Sequence, residues 1–404
     1  MSKVSISRSK LNGNITAPPS KSAAHRALIC SYLAGGGTVS PIINSKDMQA
    51  TLGVIDGLKD KSPRVHCIES GSTLRFMIPV AASLGKSVTF TGEGSLLKRT
   101  VREYVDLLPQ HGITVKSDGY LPFTISGQLQ NGNYEVDGNV SSQYVTGLLL
   151  ALANLQGDSA IVLKTPLQSK PYVDMTVKIM NDYGVRVMET NFGYLIKGSQ
   201  KYQTLDYNVE GDWSQAAFFL AAGAICGDVT VSGLDLKCAQ GDRYIIDVLA
   251  NFGADIVVEG NQVHCKQSEL KGIEVDVTNI PDLVPIIAVT AAFANGQTVI
   301  TGGERLRYKE SDRITSVVTN LEKMGVDVIE QPDGMIINGC GDVFGAKLDG
   351  FNDHRIVMAF SVAALGAYGK TEITNAESIN KSYPQFFEDY NSLGGKADVI
   401  CDTE

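Results

Sequence analysis

No apolar run in this chain approaches the ~18–20 residues needed to cross a bilayer, because each aliphatic stretch is interrupted by glycine or a polar residue. The opening MSKVSISRSK also lacks the apolar core of a secretory signal. Both absences lead to the expectation of a soluble, cytoplasmic protein. Positive charge is in deficit: 35 Lys and Arg against 44 Asp and Glu give a net charge of −9. That balance argues against a non-specific grip on nucleic acid or on an anionic membrane, so neither partner is expected. The seven cysteines (Cys30, Cys67, Cys226, Cys238, Cys265, Cys340 and Cys401) are odd in number, scattered, and never form a C-x-x-C pair. Neither a disulfide framework nor a zinc site is indicated, and buried thiols are expected.

Motifs are missing in the same informative way. There is no G-x-x-x-x-G-K-[ST], no G-x-G-x-x-G opening a helix, no H-E-x-x-H and no G-x-S-x-G. The histidines His25, His66, His111, His264 and His354 show no metal-ligand spacing. No metal, nucleotide or redox cofactor is expected.

What is present is an ordinary globular composition, 43% hydrophobic and 20% charged over 404 residues, enough for two substantial cores. An apolar, Ala-rich segment that runs into glycine and then β-branched residues occurs six times. The copies are ALICSYLAGGGTVSPI (27–42), MIPVAASLGKSVTFTG (77–92), LLLALANLQGDSAIVL (148–163), FFLAAGAICGDVTVSG (218–233), IIAVTAAFANGQTVITG (286–302) and MAFSVAALGAYGKTEIT (358–374). Gly37, Gly85, Gly157, Gly227, Gly296 and Gly369 stand at the predicted helix ends, where a left-handed residue is expected. Between copies lie amphipathic segments such as VREYVDLLPQHGITVKS and ITSVVTNLEKMGVDVIE, each predicting an outer helix and a strand. The unit is helix, strand, helix, strand, strand. It cannot bury both helix faces alone, and three units in each of two domains is the simplest packing, with a switch near Glu210-Gly211.

The starts of the inner helices are unusual. Free N–H groups and the positive dipole end favour anions there, yet cations recur. Lys21, His25 and Arg26 open the first helix after Pro19-Ser20, Glu69-Ser70-Gly71-Ser72-Thr73-Leu74-Arg75 the second, and Asn352-Asp353-His354-Arg355 the sixth. Asn139, Ser141, Ser142 and Gln143 open the third, and Asp212, Ser214 and Gln215 the fourth. Ser, Asn and Asp are ordinary N-caps taken singly. Several of them beside cations point to a bound anion. Two loops add charge: Lys98-Arg99 with Arg102, and Arg305 to Arg313, where a helical reading puts Lys309 and Arg313 on one face. Asp282 and Glu310 are the candidate acids.

At PPSKSAAHRA, SSQY, KESDR, NDHR and KSYP, in that order between Lys21 and Pro384, the chain resembles the 5-enolpyruvylshikimate-3-phosphate synthase family of enolpyruvyl transferases. The resemblance implies an α/β fold: a two-domain inside-out α/β barrel built from six βαβαββ repeats, three per domain. Residues 14–210 would form the N-terminal domain and residues 1–13 plus 211–404 the C-terminal domain, with the active site in the cleft between them. It implies transfer of the enolpyruvyl group of phosphoenolpyruvate to the 5-hydroxyl of shikimate 3-phosphate by a monomer that closes on its substrates. Phosphoenolpyruvate would be held at Lys21, Gly71, Arg99, Gln143, Arg313, Arg355 and Lys381. Shikimate 3-phosphate would be held at Lys21, Ser22, Arg26, Ser141, Ser142, Gln143, Ser169, Tyr172, Asp282 and Lys309. Glu310 would move the methyl proton, and Asp282 with Lys21 the hydroxyl proton. His354 is a further candidate.

Three positions depart from the family pattern: Glu69 and Arg305 stand where Asn is usual, and Ser72 where Thr is usual. With Gly71 retained, glyphosate is expected to compete with phosphoenolpyruvate. The sister transferase acting on UDP-N-acetylglucosamine typically has Asn after the first-helix Lys and a loop Cys. Here Ser22 follows Lys21 and no Cys lies between Cys67 and Cys226, which favours the shikimate acceptor. A non-catalytic anion binder would not need both Asp282 and Glu310, and a relative of the RNA 3′-phosphate cyclases would need an ATP site and a nucleic-acid surface.

Overall fold

The six Ala-rich segments form helices: Lys21–Ala34, Gly71–Ser83, Ser142–Leu152, Trp213–Cys226, Val284–Ala292 and His354–Gly366. The structure is a computed structural model that describes residues 2–61, 63–339 and 341–401. The expectation of a buried thiol at Cys340 lies outside the described residues, as do the two ends of the predicted C-terminal domain, Met1 and residues 402–404. Five of the helices are capped as their sequences require: Ser20, Ser70, Ser141, Asp212 and Asp353 each accept a first-turn backbone N–H. Val284–Ala292 instead follows a 3₁₀ turn, Pro281–Leu283, and Pro281 in the turn and Pro285 in the helix occupy early positions whose N–H has no intrahelical acceptor.

The chain divides into two compact units, residues 19–209 and residues 1–18 with 210–404. In the second, Trp213–Cys226, Val284–Ala292 and His354–Gly366 pack on one another, and the first two are buried throughout, having no polar face to present. In the first, Gly71–Ser83 packs on Ser142–Leu152, while Lys21–Ala34 packs on the flanking helices Lys46–Lys59 and Lys170–Asp182. Pro79 lacks the N–H that would bond the Arg75 carbonyl, and the Tyr104 hydroxyl donates to that carbonyl instead at 2.7 Å. A Cβ on Gly147 would come within 2.4 Å of the same carbonyl, so only glycine lets the third helix approach here.

Five four-stranded sheets share one order, with a parallel pair followed by two antiparallel pairs. Arg64–His66, Val88–Thr91, Phe123–Gly127 and Ile113–Lys116 form one, and Asn133–Val136, Ser159–Leu163, Gly193–Ile196 and Val187–Thr190 the next. The unit of 210–404 contains the other three. In the last of them the N-terminal strand Ser2–Ser7 sits between Lys370–Thr374 and Ala397–Cys401. The strands that precede the first and fourth inner helices are exchanged. Asn12–Thr16 pairs with Asp228–Ser232, and Tyr207–Asn208 pairs with Val39–Ser40. The chain therefore passes from unit to unit at 18/19 and at 209/210, where sequence periodicity and resemblance place the passages at 13/14 and 210/211. Pairing continues through Thr16, and this keeps residues 14–18 with the strand beside them.

Two local expectations fail. Gly157 is not left-handed, and Gly227 is extended at φ −146°. Glycine is required at 227 because a Cβ would lie 2.2 Å from the Leu11 carbonyl oxygen. Cys30, Cys67, Cys226, Cys238 and Cys265 are buried, but Cys401 is exposed, since it ends an edge strand. Among the described residues no helix is long and apolar enough to cross a membrane.

Candidate active site

In the unit of residues 19–209, the first inner helix presents Lys21 and Ser22 in its opening turn. Lys21 Nζ lies 2.7 Å from Asp47 Oδ2 on Lys46–Lys59. Arg26 is buried and donates to the Ser22 carbonyl at 2.7 Å, the Tyr172 carbonyl at 2.9 Å and Thr176 Oγ1 at 2.7 Å. It thus ties the start of the first helix to the segment carrying Ser169 and Tyr172. Burial lowers its pKa to about 10, which leaves the guanidinium charged at neutral pH. Ser169 is held in the left-handed region at φ 54°, a conformation that costs a non-glycine residue roughly 1–2 kcal/mol.

The second helix start is a shelf for cations. A Cβ on Gly71 would fall 2.5 Å from Arg99 Nη1 and 3.0 Å from Arg75 Nη1, so both guanidinium groups lie against its bare Cα. Arg75 donates to Gln143 Oε1 at 2.8 Å and to the Thr100 carbonyl at 2.9 Å, while Gln143 Nε2 donates to Ser72 Oγ at 2.9 Å. Ser72, Gln143, Gly71 and Arg99 are thereby joined, with Ser141 and Ser142 at the same helix start as Gln143. Glu69 accepts from the Ser95 N–H at 3.1 Å and the Ser95 hydroxyl at 3.0 Å, bracing the turn that leads to Arg99. Lys98 and Arg102 are exposed and take no part in this cluster.

In the unit containing residues 210–404, one guanidinium organises the site. Arg313 is 1% exposed and donates to three carboxylates: Asp353 at 2.8 Å, Asp282 at 2.8 Å and Glu310 at 2.7 Å. Arg355 donates to the other Asp282 oxygen at 2.8 Å, and Lys309 Nζ stands 3.6 Å from Asp282. Burial pushes the Asp282 carboxyl up, but Arg355, Lys309 and Arg313 outweigh it and hold it well below the usual range. Burial dominates at Lys309, bringing it down to about 8 despite Asp282. Asp242, hydrogen-bonded by Ser214, is raised to about 6 by burial and by the charge of Asp282.

Lys309 and Arg313 do not share a helix face. The helix begins only at Arg313, capped by Asp312, and Lys309 ends a 3₁₀ turn, Glu304–Tyr308. The two cations converge on Asp282 instead. Lys381 donates to the Asn352 carbonyl at 2.8 Å, and Phe351 and Asn352 are both left-handed, at φ 51° and 50°. Backbone strain of this kind tends to gather at functional sites. His354 is buried, its Nδ1 3.9 Å from Asp353 Oδ1, and Arg305 donates to the Thr278 carbonyl at 3.2 Å.

Four residues with a part in these clusters are absent from the sequence-based set. Arg75 and Asp353 stand inside segments singled out by sequence, and a buried arginine's need for partners is the signal that finds them. Asp47 and Asp242 carry no local signal. Among the described residues no group of three or more His, Cys, Asp or Glu is placed to hold a metal ion.

Cations and hydroxyls at helix starts, beside carboxylates of displaced pKa, are the equipment of an enzyme for small-molecule substrates and are suited to anions and to acid-base chemistry. The comparisons sharpen that class. The family model described as EPSP synthase (3-phosphoshikimate 1-carboxyvinyltransferase) matches residues 6–65 and 61–390. A 3-phosphoshikimate 1-carboxyvinyltransferase of Clostridium kluyveri is 44% identical over 98% of this chain and 99% of its own length. That of Methanocorpusculum labreanum is 40% identical over 97% and 98%. The solved EPSP synthase of Acinetobacter baumannii superposes with a TM-score of 0.84 at 27% identity, covering 99% of this chain and 100% of that one. The enolpyruvyl transferase NikO of Streptomyces tendae, at 16% identity and a TM-score of 0.79 over 99% of both chains, shares the fold. This chain belongs to the EPSP synthase family.

Proposed function

We propose that the two constellations serve one reaction, transfer of the enolpyruvyl group of phosphoenolpyruvate to the 5-hydroxyl of shikimate 3-phosphate with release of phosphate, a step of aromatic amino acid biosynthesis. The observation that carries this is the Arg313 fork, which holds Asp282 and Glu310 on one guanidinium and sets two carboxylates side by side among cations. Lys21, Arg99, Gln143, the Gly71 backbone, Arg313, Arg355 and Lys381 bind phosphoenolpyruvate. Guanidinium forks match its carboxylate and phosphate bidentately. Ser22, Ser141, Ser142, Ser169 and Tyr172 receive shikimate 3-phosphate, with Arg26 holding the Ser22 and Tyr172 backbones and Gln143 alongside. Asp282 and Lys309 take the ring hydroxyls.

Glu310, protonated, gives its proton to the methylene carbon while the 5-hydroxyl oxygen attacks C2 and Asp282, with Lys21, takes the hydroxyl proton. The product is a tetrahedral ketal phosphate. Glu310, now a carboxylate, removes a methyl proton, the double bond re-forms and phosphate departs. Fixed cations stabilise the charge on the leaving phosphate.

On this proposal the recurring sheets and helices make six βαβαββ units, three in each of two inside-out α/β barrels. The protein is taken to act as a cytoplasmic monomer, and light scattering on the purified protein checks the monomer. Phosphate release is the test of function. It is expected on mixing the protein with phosphoenolpyruvate and shikimate 3-phosphate and not with UDP-N-acetylglucosamine as acceptor. Release with only the sugar nucleotide, or with neither, overturns the assignment.

A further inference from the structure

We propose that His25 is a positioning residue for the phosphoenolpyruvate half-site, acting through a directed hydrogen-bond chain, His25 to Thr51 to Thr73 to Ser70, that fixes where the second inner helix begins. The proposal rests on the placement of phosphoenolpyruvate against Gly71 and Arg99.

The direction of the chain follows from counting protons. The Thr73 hydroxyl donates to Ser70 Oγ at 2.8 Å, and Ser70 Oγ also accepts the Thr73 N–H at 3.2 Å as the helix cap. Having spent its one proton, Thr73 can only accept from Thr51, 2.7 Å away. Thr51 in turn can only accept from His25 Nδ1, also at 2.7 Å. His25 therefore carries a proton on Nδ1, and its buried Nε2 makes no hydrogen bond among the described residues. Burial, then Lys21 and Arg26 on its own helix, depress its pKa well below 6.5. From the neighbouring helices the ring meets Thr51 and the edge-on ring of Phe76, and the carboxylate on that side, Asp47, is paired with Lys21.

The same two helices are joined by a second rung. Lys21 and His25 are one turn apart on Lys21–Ala34, as are Asp47 and Thr51 on Lys46–Lys59, so the Lys21–Asp47 and His25–Thr51 contacts lock one register. Beyond Thr51 the chain ends on Ser70, the residue before Gly71. A Cβ at Gly71 would stand 2.5 Å from Arg99 Nη1, so the backbone that Ser70 caps is the surface against which this guanidinium rests.

The test separates the two ends of the imidazole. Asn at 25 keeps an N–H donor near the Nδ1 position, whereas Gln carries its amide out toward Nε2. His25→Asn is expected to stay close to wild type. His25→Gln, and Thr51→Val, which keeps shape but ends the chain, are expected to raise KM for phosphoenolpyruvate about tenfold, with kcat held within about twofold and KM for shikimate 3-phosphate unchanged. Equal behaviour of Asn and Gln, an indifferent Thr51→Val, or a loss confined to kcat overturns the proposal. Long-range ¹H–¹⁵N spectra of the wild-type imidazoles, assigned by the signal lost in His25→Asn, remain informative should a variant fail to fold. An Nδ1–H tautomer unchanged from pH 5.5 to 8 is expected, and an Nε2–H tautomer or a titration overturns the chain. Wild-type phosphate release separates the two levels: without it the functional assignment falls, whereas normal wild-type turnover with indifferent variants removes only the role of His25.

Discussion

Replacing Lys309 by methionine is expected to make the protein more stable and less active at once. Folding lowers the Lys309 pKa from 10.5 to about 8, burial outweighing its attraction to Asp282. At about 1.36 kcal/mol per pKa unit, holding that ammonium charged in the fold costs at most about 3 kcal/mol. The side chain is 27% exposed, so solvent screens part of this, and about 1–2 kcal/mol is expected. Lys309→Met removes the cost and leaves Asp282 with Arg313 and Arg355. For a domain of this size a gain of 1 kcal/mol raises the melting midpoint by about 2–4 °C. Turnover should fall steeply, because the ammonium proposed to meet the ring hydroxyls is gone.

The pH dependence gives the prediction its edge. Between pH 8 and 10.5 the unfolded chain holds a proton on Lys309 that the folded chain has released, so wild-type stability rises with pH relative to the variant. The advantage of Lys309→Met should be full below pH 8, shrink through that window and vanish above it. Thermal melts of both proteins from pH 7 to 10.5 measure it, and groups common to both cancel in the difference. Shikimate 3-phosphate should reverse the order by stabilising the wild type more. A variant less stable than wild type at pH 7, or a gap that stays constant up to pH 10.5, refutes the reasoning.

Lys21→Ala and Glu310→Ala should each lose most turnover with an unchanged circular dichroism spectrum; near-normal kcat in either removes that residue's assigned role. Gly71→Ala sets a methyl group where Arg99 Nη1 lies 2.5 Å away, so KM for phosphoenolpyruvate should rise with little change in melting temperature. Glyphosate should compete with phosphoenolpyruvate in initial-rate measurements on the wild type, and undiminished turnover at saturating inhibitor argues otherwise. Asp353→Asn takes one of three carboxylates from the buried Arg313, which keeps Asp282 and Glu310, and should cost about 1–3 kcal/mol, read from chemical denaturation.

The inner helices and their starts are legible in sequence because local rules fix them: a Ser or Asp cap, an apolar run without a polar face, and a glycine beyond. What those starts hold is legible only in part. Lys309 and Arg313 look like neighbours on a helix, yet Asp312 caps the helix at Arg313, and the pair meets on Asp282, some thirty residues earlier in the chain. Asp47 and Asp242 have no sequence signature, since their partners Lys21 and Ser214 are brought to them by tertiary packing alone. Gly227 looks like a helix terminator, but what excludes a side chain is the Leu11 carbonyl from the far end of the sequence. The exchange of Asn12–Thr16 for Tyr207–Asn208 is equally non-local, as neither strand's residues reveal which partner it takes.

On the proposed assignment, substrate charge and base strength are coupled at Asp282. A base must be able to accept a proton, and a carboxylate held well below the usual range by Arg355, Lys309 and Arg313 accepts one poorly. Those cations are also the groups suited to the carboxylate and phosphate of phosphoenolpyruvate and to the ring hydroxyls of the acceptor. As an anion draws on their charge, less of it bears on Asp282, and burial, which raises the carboxyl, counts for more. On the proposed assignment, the cations that recruit the substrates therefore also restrain the base until substrates arrive.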